Sequence, residues 1–120
     1  MSEKKSILKD KSFAFPLRTI KLYQYLSLDK KEFVLSKQVL RSGTSVGAMI
    51  REAQNAESTA DFIHKLAVAQ KECDETIYWL ELLVQSGYLK EEEFKSIGKE
   101  ACDILKIIRS AILTSKSKKQ

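Results

Sequence analysis

The sequence predicts an all-α protein, an antiparallel up-down-up-down four-helix bundle over residues 12–115, with Lys-rich flexible tails at 1–11 and 116–120. Three observations predict it. The 120-residue chain holds only four Gly and one Pro, too few turn-forming residues for an all-β domain. Hydrophobic residues make up 43% of it, enough for a single core at this length. Apolar residues also recur at the helical period in four segments separated by short breaks.

The first predicted helix runs from Phe13 to Leu28, with Ser12 as its N-cap and Pro16 tolerated in the first turn. Phe13, Leu17 and Ile20, with Phe15, Leu22 and Leu26, spread over a wide arc. Periodicity breaks at Ser27–Lys31, where Ser27 or Asp29 offers the next start. The second helix spans Phe33 to Asn55, because Leu35, Val39, Ser42, Val46, Met49 and Ala53 repeat in heptad steps. Its centre contains Gly43 and Gly47. Each Gly costs up to about 1 kcal/mol relative to Ala in a helix interior, so the pair implies that another backbone comes close.

The third helix begins after Ser58, a cap partnered by Asp61 at N3, and Gly87 is placed to terminate it. Its inward seam is Phe62, Leu66, Ala69, Cys73, Thr76, Leu80 and Leu83. The fourth opens on Glu91-Glu92-Glu93, the charge a helix start prefers, and ends near Ser115. Phe94, Ile97, Ala101, Ile104, Ile108 and Ala111 form its seam, widened by Leu105 and Ile112.

Residues left outside these seams suggest contacts. On the third helix Tyr78 and Leu82 fall nearly opposite the core direction, with Val68 and Trp79 on one flank. A patch containing Tyr and Trp reads as an interface between copies; the alternatives are cover by the N-terminal segment or a different protein partner held on the Tyr78/Trp79/Leu82 face. If the chain reverses near Glu57, Arg41 comes level with Glu72 and Glu75 and forms an inter-helix ion pair.

Catalytic and metal-binding patterns are weak. Gly43-Thr44-Ser45-Val46-Gly47 matches the string G-x-S-x-G, but that elbow needs a strand-to-helix turn, and both flanks read as helix. The only His, His64, has no ligand-spaced partner, and Cys73 and Cys102 belong to no C-x-x-C pair. Neither an enzyme, a cofactor nor a metal is expected. No apolar run reaches the length of a membrane span or a secretory signal, so a cytoplasmic protein without membrane contact is expected.

Charge is the remaining signal. The formal net charge is +5, with residues 58–88 carrying −3 and residues 89–120 carrying +3. Arg18 and Lys21 on the first helix, with Lys95, Lys99, Lys106 and Arg109 on the fourth, form one basic surface if those helices adjoin. Such a surface attracts RNA or DNA phosphates in a salt-sensitive way.

The run from Arg41 to Ala53 resembles the signature R-S-x-x-S-x-x-x-N-I-x-E-G of bacterial four-helix bundle proteins encoded by intervening sequences in 23S ribosomal RNA genes. Arg41, Ser42, Ser45, Ile50 and Glu52 match it, whereas Met49 and Ala53 stand where Asn and Gly are usual. Ala69, Glu75 and Leu80 meet the later family pattern, with Glu72 in place of its Ser. The resemblance covers about residues 12–113. It implies a homopentameric, barrel-like ring with a central opening. It also implies kinship with the accessory protein of diversity-generating retroelements, which works with a reverse transcriptase and nucleic acid through a basic surface. The biochemical role of the intervening-sequence group itself is unsettled.

Overall fold

Helix propensity and one inward apolar stripe per segment produce four helices in the computed structural model, which describes the backbone of residues 3–119 and the side chains of residues 7–118. They are α1 (Glu3–Leu28), α2 (Leu35–Gln54), α3 (Thr59–Gln85) and α4 (Glu91–Lys119). No strand occurs among the described residues. Each helix packs on its sequence neighbours and α4 also packs on α1, giving a four-helix bundle of 50 × 23 × 20 Å. The core is drawn from all four: Phe15, Leu22 and Leu26; Val39, Val46 and Ile50; Leu66, Leu80 and Leu83; Ile97, Ile104 and Ile108.

Both expected tails are helical where described. Residues 3–11 extend α1 and residues 116–119 extend α4; residues 1, 2 and 120 lie outside the described residues. The N-terminal extension holds because Glu3–Lys11 contains neither Gly nor Pro, Leu8 is buried, and Lys11 reaches Asp103 of α4. Ser12 is therefore not a cap. Its hydroxyl donates to the Lys9 carbonyl at 2.8 Å, the local bond of a serine inside a helix. Pro16 lies well inside α1 rather than in its first turn.

The α1–α2 contact shows what Gly43 and Gly47 do. A Cβ on Gly43 would lie 2.5 Å from Thr19 Cγ2, and one on Gly47 would lie 2.6 Å from the Ser12 carbonyl oxygen and 2.8 Å from Pro16 Cγ. Only a hydrogen fits at either point. Pro16, which lacks an N–H, cannot satisfy the Ser12 carbonyl from one turn on, and Gly47 is the residue that packs against that exposed acceptor.

Neither Ser27 nor Asp29 opens the second helix. Glu32 does, by turning its buried carboxylate onto the backbone N–H groups of Val34 (3.3 Å), Leu35 (3.0 Å) and Ser36 (2.7 Å). Burial alone would raise the Glu32 pKa, but the three backbone donors outweigh it and hold the carboxyl below its ordinary 4.5. α3 starts on Ser58, whose hydroxyl accepts from Asp61 N at 3.0 Å. It ends in a Schellman arrangement: Tyr88 N donates to the Leu83 carbonyl, Gly87 N donates to the Val84 carbonyl, and Gly87 has φ +85.

On α1 the wide apolar arc divides. Phe15, Leu22 and Leu26 are buried, while Phe13 and Leu17 stay 60% and 45% exposed. One helix can turn only one stripe inward, and a second stripe is left on its outer side. On α2 the seam shifts by one residue, since Ile50 is fully buried and Met49 only partly so.

Candidate nucleic-acid interface

Arg18 does not join an open basic surface. It is drawn into the α1–α4 seam, where Nη1 meets Glu100 and Nη2 lies 2.9 Å from Glu93 Oε1 and 2.8 Å from Ser96 Oγ. Partial burial opposes its charge, but the two carboxylates more than compensate and raise its pKa above the ordinary value. The guanidinium therefore sets the register of α1 on α4. Glu93, Ser96 and Glu100 are the partners the sequence reading missed; their i, i+3, i+7 spacing on α4 was the available signal. Lys21 is exposed on α1.

The α4 cations behave differently. Lys95, Lys99, Lys106 and Arg109 are all exposed. At 100° per residue they share an arc of about 80°, and at 1.5 Å per residue they extend over about 21 Å. Lys99 lies 3.1 Å from Asp103 Oδ2, which Lys11 also approaches at 3.9 Å. Among the described residues Lys95, Lys106 and Arg109 enter no ion pair. The structure thus gathers four of the six expected basic residues on one face and leaves Arg18 and Lys21 on α1.

Three of the motif residues of α2, Arg41, Ser42 and Glu52, meet side chains of α3. Arg41 lies between Glu72 (3.3 Å) and Glu75, and its Nε donates to Gln38 Oε1 at 3.2 Å. Glu75 also accepts from Trp79 Nε1 at 3.2 Å. The Ser42 hydroxyl donates to the Gln38 carbonyl and stands 2.7 Å from Thr76 Oγ1 inside the core. Ser45 donates to the Arg41 carbonyl, so its hydroxyl is occupied by its own helix. Ile50 fills the core, and Glu52 pairs with Lys65 at 3.1 Å, which raises the lysine's pKa. Every member of the motif is thus engaged with the core, with α3 or with α2 itself.

Of the expected interface residues, Val68, Trp79 and Leu82 are half-buried, and Tyr78 is 53% exposed with its ring 5.1 Å from that of Trp79. Described N-terminal residues do not cover Tyr78, since α1 packs on α2 and α4 instead. Among the described residues a cleft of about 570 Å³ opens between α1 and α2, and another of about 860 Å³ is lined by Leu8, Ile50, Phe62 and Leu66. His64 lines neither. No three His, Cys, Asp or Glu residues gather as a metal site among the described residues. Cys73 is buried against the Ala101 carbonyl, and its thiol is pushed up to about 12, chiefly by burial. No described helix is long and apolar enough to cross a membrane.

The family profile of the 23S rRNA-intervening sequence protein matches residues 4–110 of the chain. The chain belongs to the 23S rRNA-intervening sequence protein family. A crystal structure from Bacteroides thetaiotaomicron, described as a protein with unknown function from the S23 ribosomal protein family, is similar to this member at 51% sequence identity. The match covers 91% of this chain and 97% of that one, with a TM-score of 0.90. A comparison with curated proteins finds no match. Of the signature residues in this chain, Arg41, Ser42 and Glu52 meet α3, whereas Ser45 bonds its own helix and Ile50 fills the core.

Proposed function

We propose that this protein is a non-enzymatic, self-associating bundle that holds RNA or DNA by its phosphates along the outer face of α4. The observation that carries the reading is the line of Lys95, Lys99, Lys106 and Arg109, three of them outside any described ion pair. Phosphate contacts of this kind position a nucleic acid without reading its sequence. The bundle is read as antiparallel, up-down-up-down. Arg41 meets Glu75 while Glu52 meets Lys65, so numbers rise along α2 as they fall along α3. Copies are read as closing into a ring, for which the family resemblance implies five. A ring multiplies the α4 line and with it the attraction for a polyanion.

The test is fluorescence anisotropy at low salt with a labelled mixed RNA pool and a labelled DNA duplex. A Lys106→Glu/Arg109→Glu double variant is expected to weaken binding at least tenfold, while Lys37→Glu, an exposed charge reversal on α2, leaves it nearly unchanged. Equal affinity for both variants, or no binding by the wild-type chain, overturns the reading.

A further inference from the structure

The cleft of about 860 Å³ takes residues from the start of α1 and α3 and from the end of α2 and α4. Its origin lies in the inward seams. On α2 the series Val39, Val46, Ile50 passes to Ala53, and on α4 the series Ile97, Ile104, Ile108 passes to Ala111 and Ser115. Large side chains that fill the middle of the bundle give way to small ones, which leave a hollow between the helix ends. Its apolar wall is Leu8, Ile50, Phe62 and Leu66. The volume lies within the roughly 300–1,000 Å³ of small-molecule sites, which combine an apolar lining with a few placed polar groups.

The polar groups of this cleft are donors without protein acceptors. Ser27, Ser42, Thr44 and Ser45 each bond a carbonyl one turn back in their own helix. The hydroxyls of Thr59, Thr114 and Ser115, which line the cleft, have no hydrogen-bond partner among the described residues, and Lys118 enters no ion pair there. Thr114, Ser115 and Lys118 share an arc of about 100° on α4, so their polar atoms serve one head group. Lys9 and Lys118 line the cleft with one acid, Glu57, and two cations against one acid leave one net positive charge. Asp61, close by in sequence, is turned onto the Glu57 N–H at 3.3 Å, and Asp10 lines the separate α1–α2 cleft. Hydroxyl and ammonium donors beside an apolar wall match a molecule with an apolar chain and an anionic oxygen head. We infer that this end of the bundle binds an amphipathic carboxylate of medium chain length, its chain on Leu8, Ile50, Phe62 and Leu66 and its carboxylate on Thr114, Ser115 and Lys118. From Ala111 to Lys118 the cleft runs about 10 Å along α4, the reach of such a chain. Neither Lys106 nor Arg109 lines it, so the inference stands apart from the nucleic-acid reading.

Isothermal titration calorimetry of the full chain with decanoate tests it, with decyltrimethylammonium and acetate as comparators. One saturable decanoate site is expected, with the cation about tenfold weaker or worse and acetate without measurable binding. Ala111→Phe, which puts a ring into the cleft, is expected to weaken decanoate about tenfold or more. Lys118→Gln, at an exposed position, is expected to weaken it about tenfold. Unchanged helical circular dichroism confirms that both variants fold, and Lys106→Glu/Arg109→Glu is expected to leave decanoate binding as it is. No saturable decanoate binding, equal affinity for the cation, or a site that both Ala111→Phe and Lys118→Gln leave intact overturns the inference. A change of sedimenting mass in Ala111→Phe, with no decanoate binding by the wild-type chain, overturns it and gives the cleft to a second copy instead.

Discussion

Substituting Gly47 by Ala sets two known effects against each other at one atom. Alanine favours the helical backbone by up to about 1 kcal/mol over glycine. The added Cβ, however, would lie 2.6 Å from the Ser12 carbonyl oxygen, a backbone atom of α1 that cannot rotate away, and 2.8 Å from the rigid Pro16 ring. Overpacking of this kind typically costs about 1–3 kcal/mol, and a shift of α1 off α2 would disturb Phe15 and Val46 as well. With the full helical gain set against that cost, the net expectation for Gly47→Ala is a loss of about 0–2 kcal/mol. Gly98 supplies the internal control, because a Cβ there meets nothing within 4 Å. Gly98→Ala should therefore gain about 0.5–1 kcal/mol. Urea denaturation followed by circular dichroism reads both values. If Gly47→Ala proves as stable as Gly98→Ala, the close α1–α2 approach is refuted.

Other perturbations separate buried chemistry from exposed chemistry. Glu32 is ionised and held below its ordinary 4.5 in the folded chain, so its contribution is present above the unfolded pKa and lost as pH falls through the folded one. Thermal melts of Glu32→Gln should show lower stability than wild type at neutral pH and a narrowing gap in acid; a gap that widens in acid contradicts the assignment. Native-state labelling with a maleimide should modify exposed Cys102 and spare Cys73, whose thiol is buried and pushed up to about 12. Two thiols reacting at equal rates without denaturant would contradict the core placement of Cys73.

The fold was largely legible because its signals are local and periodic. Ser58 with Asp61, and Gly87, mark helix ends by side chains acting within one turn, and the heptad steps of α3 identify its buried residues. The start of α1 is not legible in the sequence, because a proline ordinarily marks a first helical turn and Pro16 lies well inside the helix. Its actual neighbour, Gly47, is distant in sequence and supplies the space that a mid-helix proline needs. Glu32 was missed because a carboxylate that reaches forward to three N–H groups looks in sequence like one more charge in a polar break. Arg18 was misassigned for a related reason: exposure can be inferred from the helical wheel, but the carboxylates that neutralise it come from another helix. Lys95, Lys106 and Arg109 kept their expected outer placement because the α4 seam fixes which face looks outward.

The most direct test of phosphate binding along α4 is the slope of log K against log salt concentration for a DNA duplex. Lys95, Lys106 and Arg109, with Lys99 shared with Asp103, offer three to four contacts per copy, which predicts a slope between about −2.7 and −3.6 per bound copy. Neutralising Arg109 alone should make it shallower by about 0.9. Binding that does not change with salt, or a slope that Arg109→Ala leaves untouched, would contradict the account.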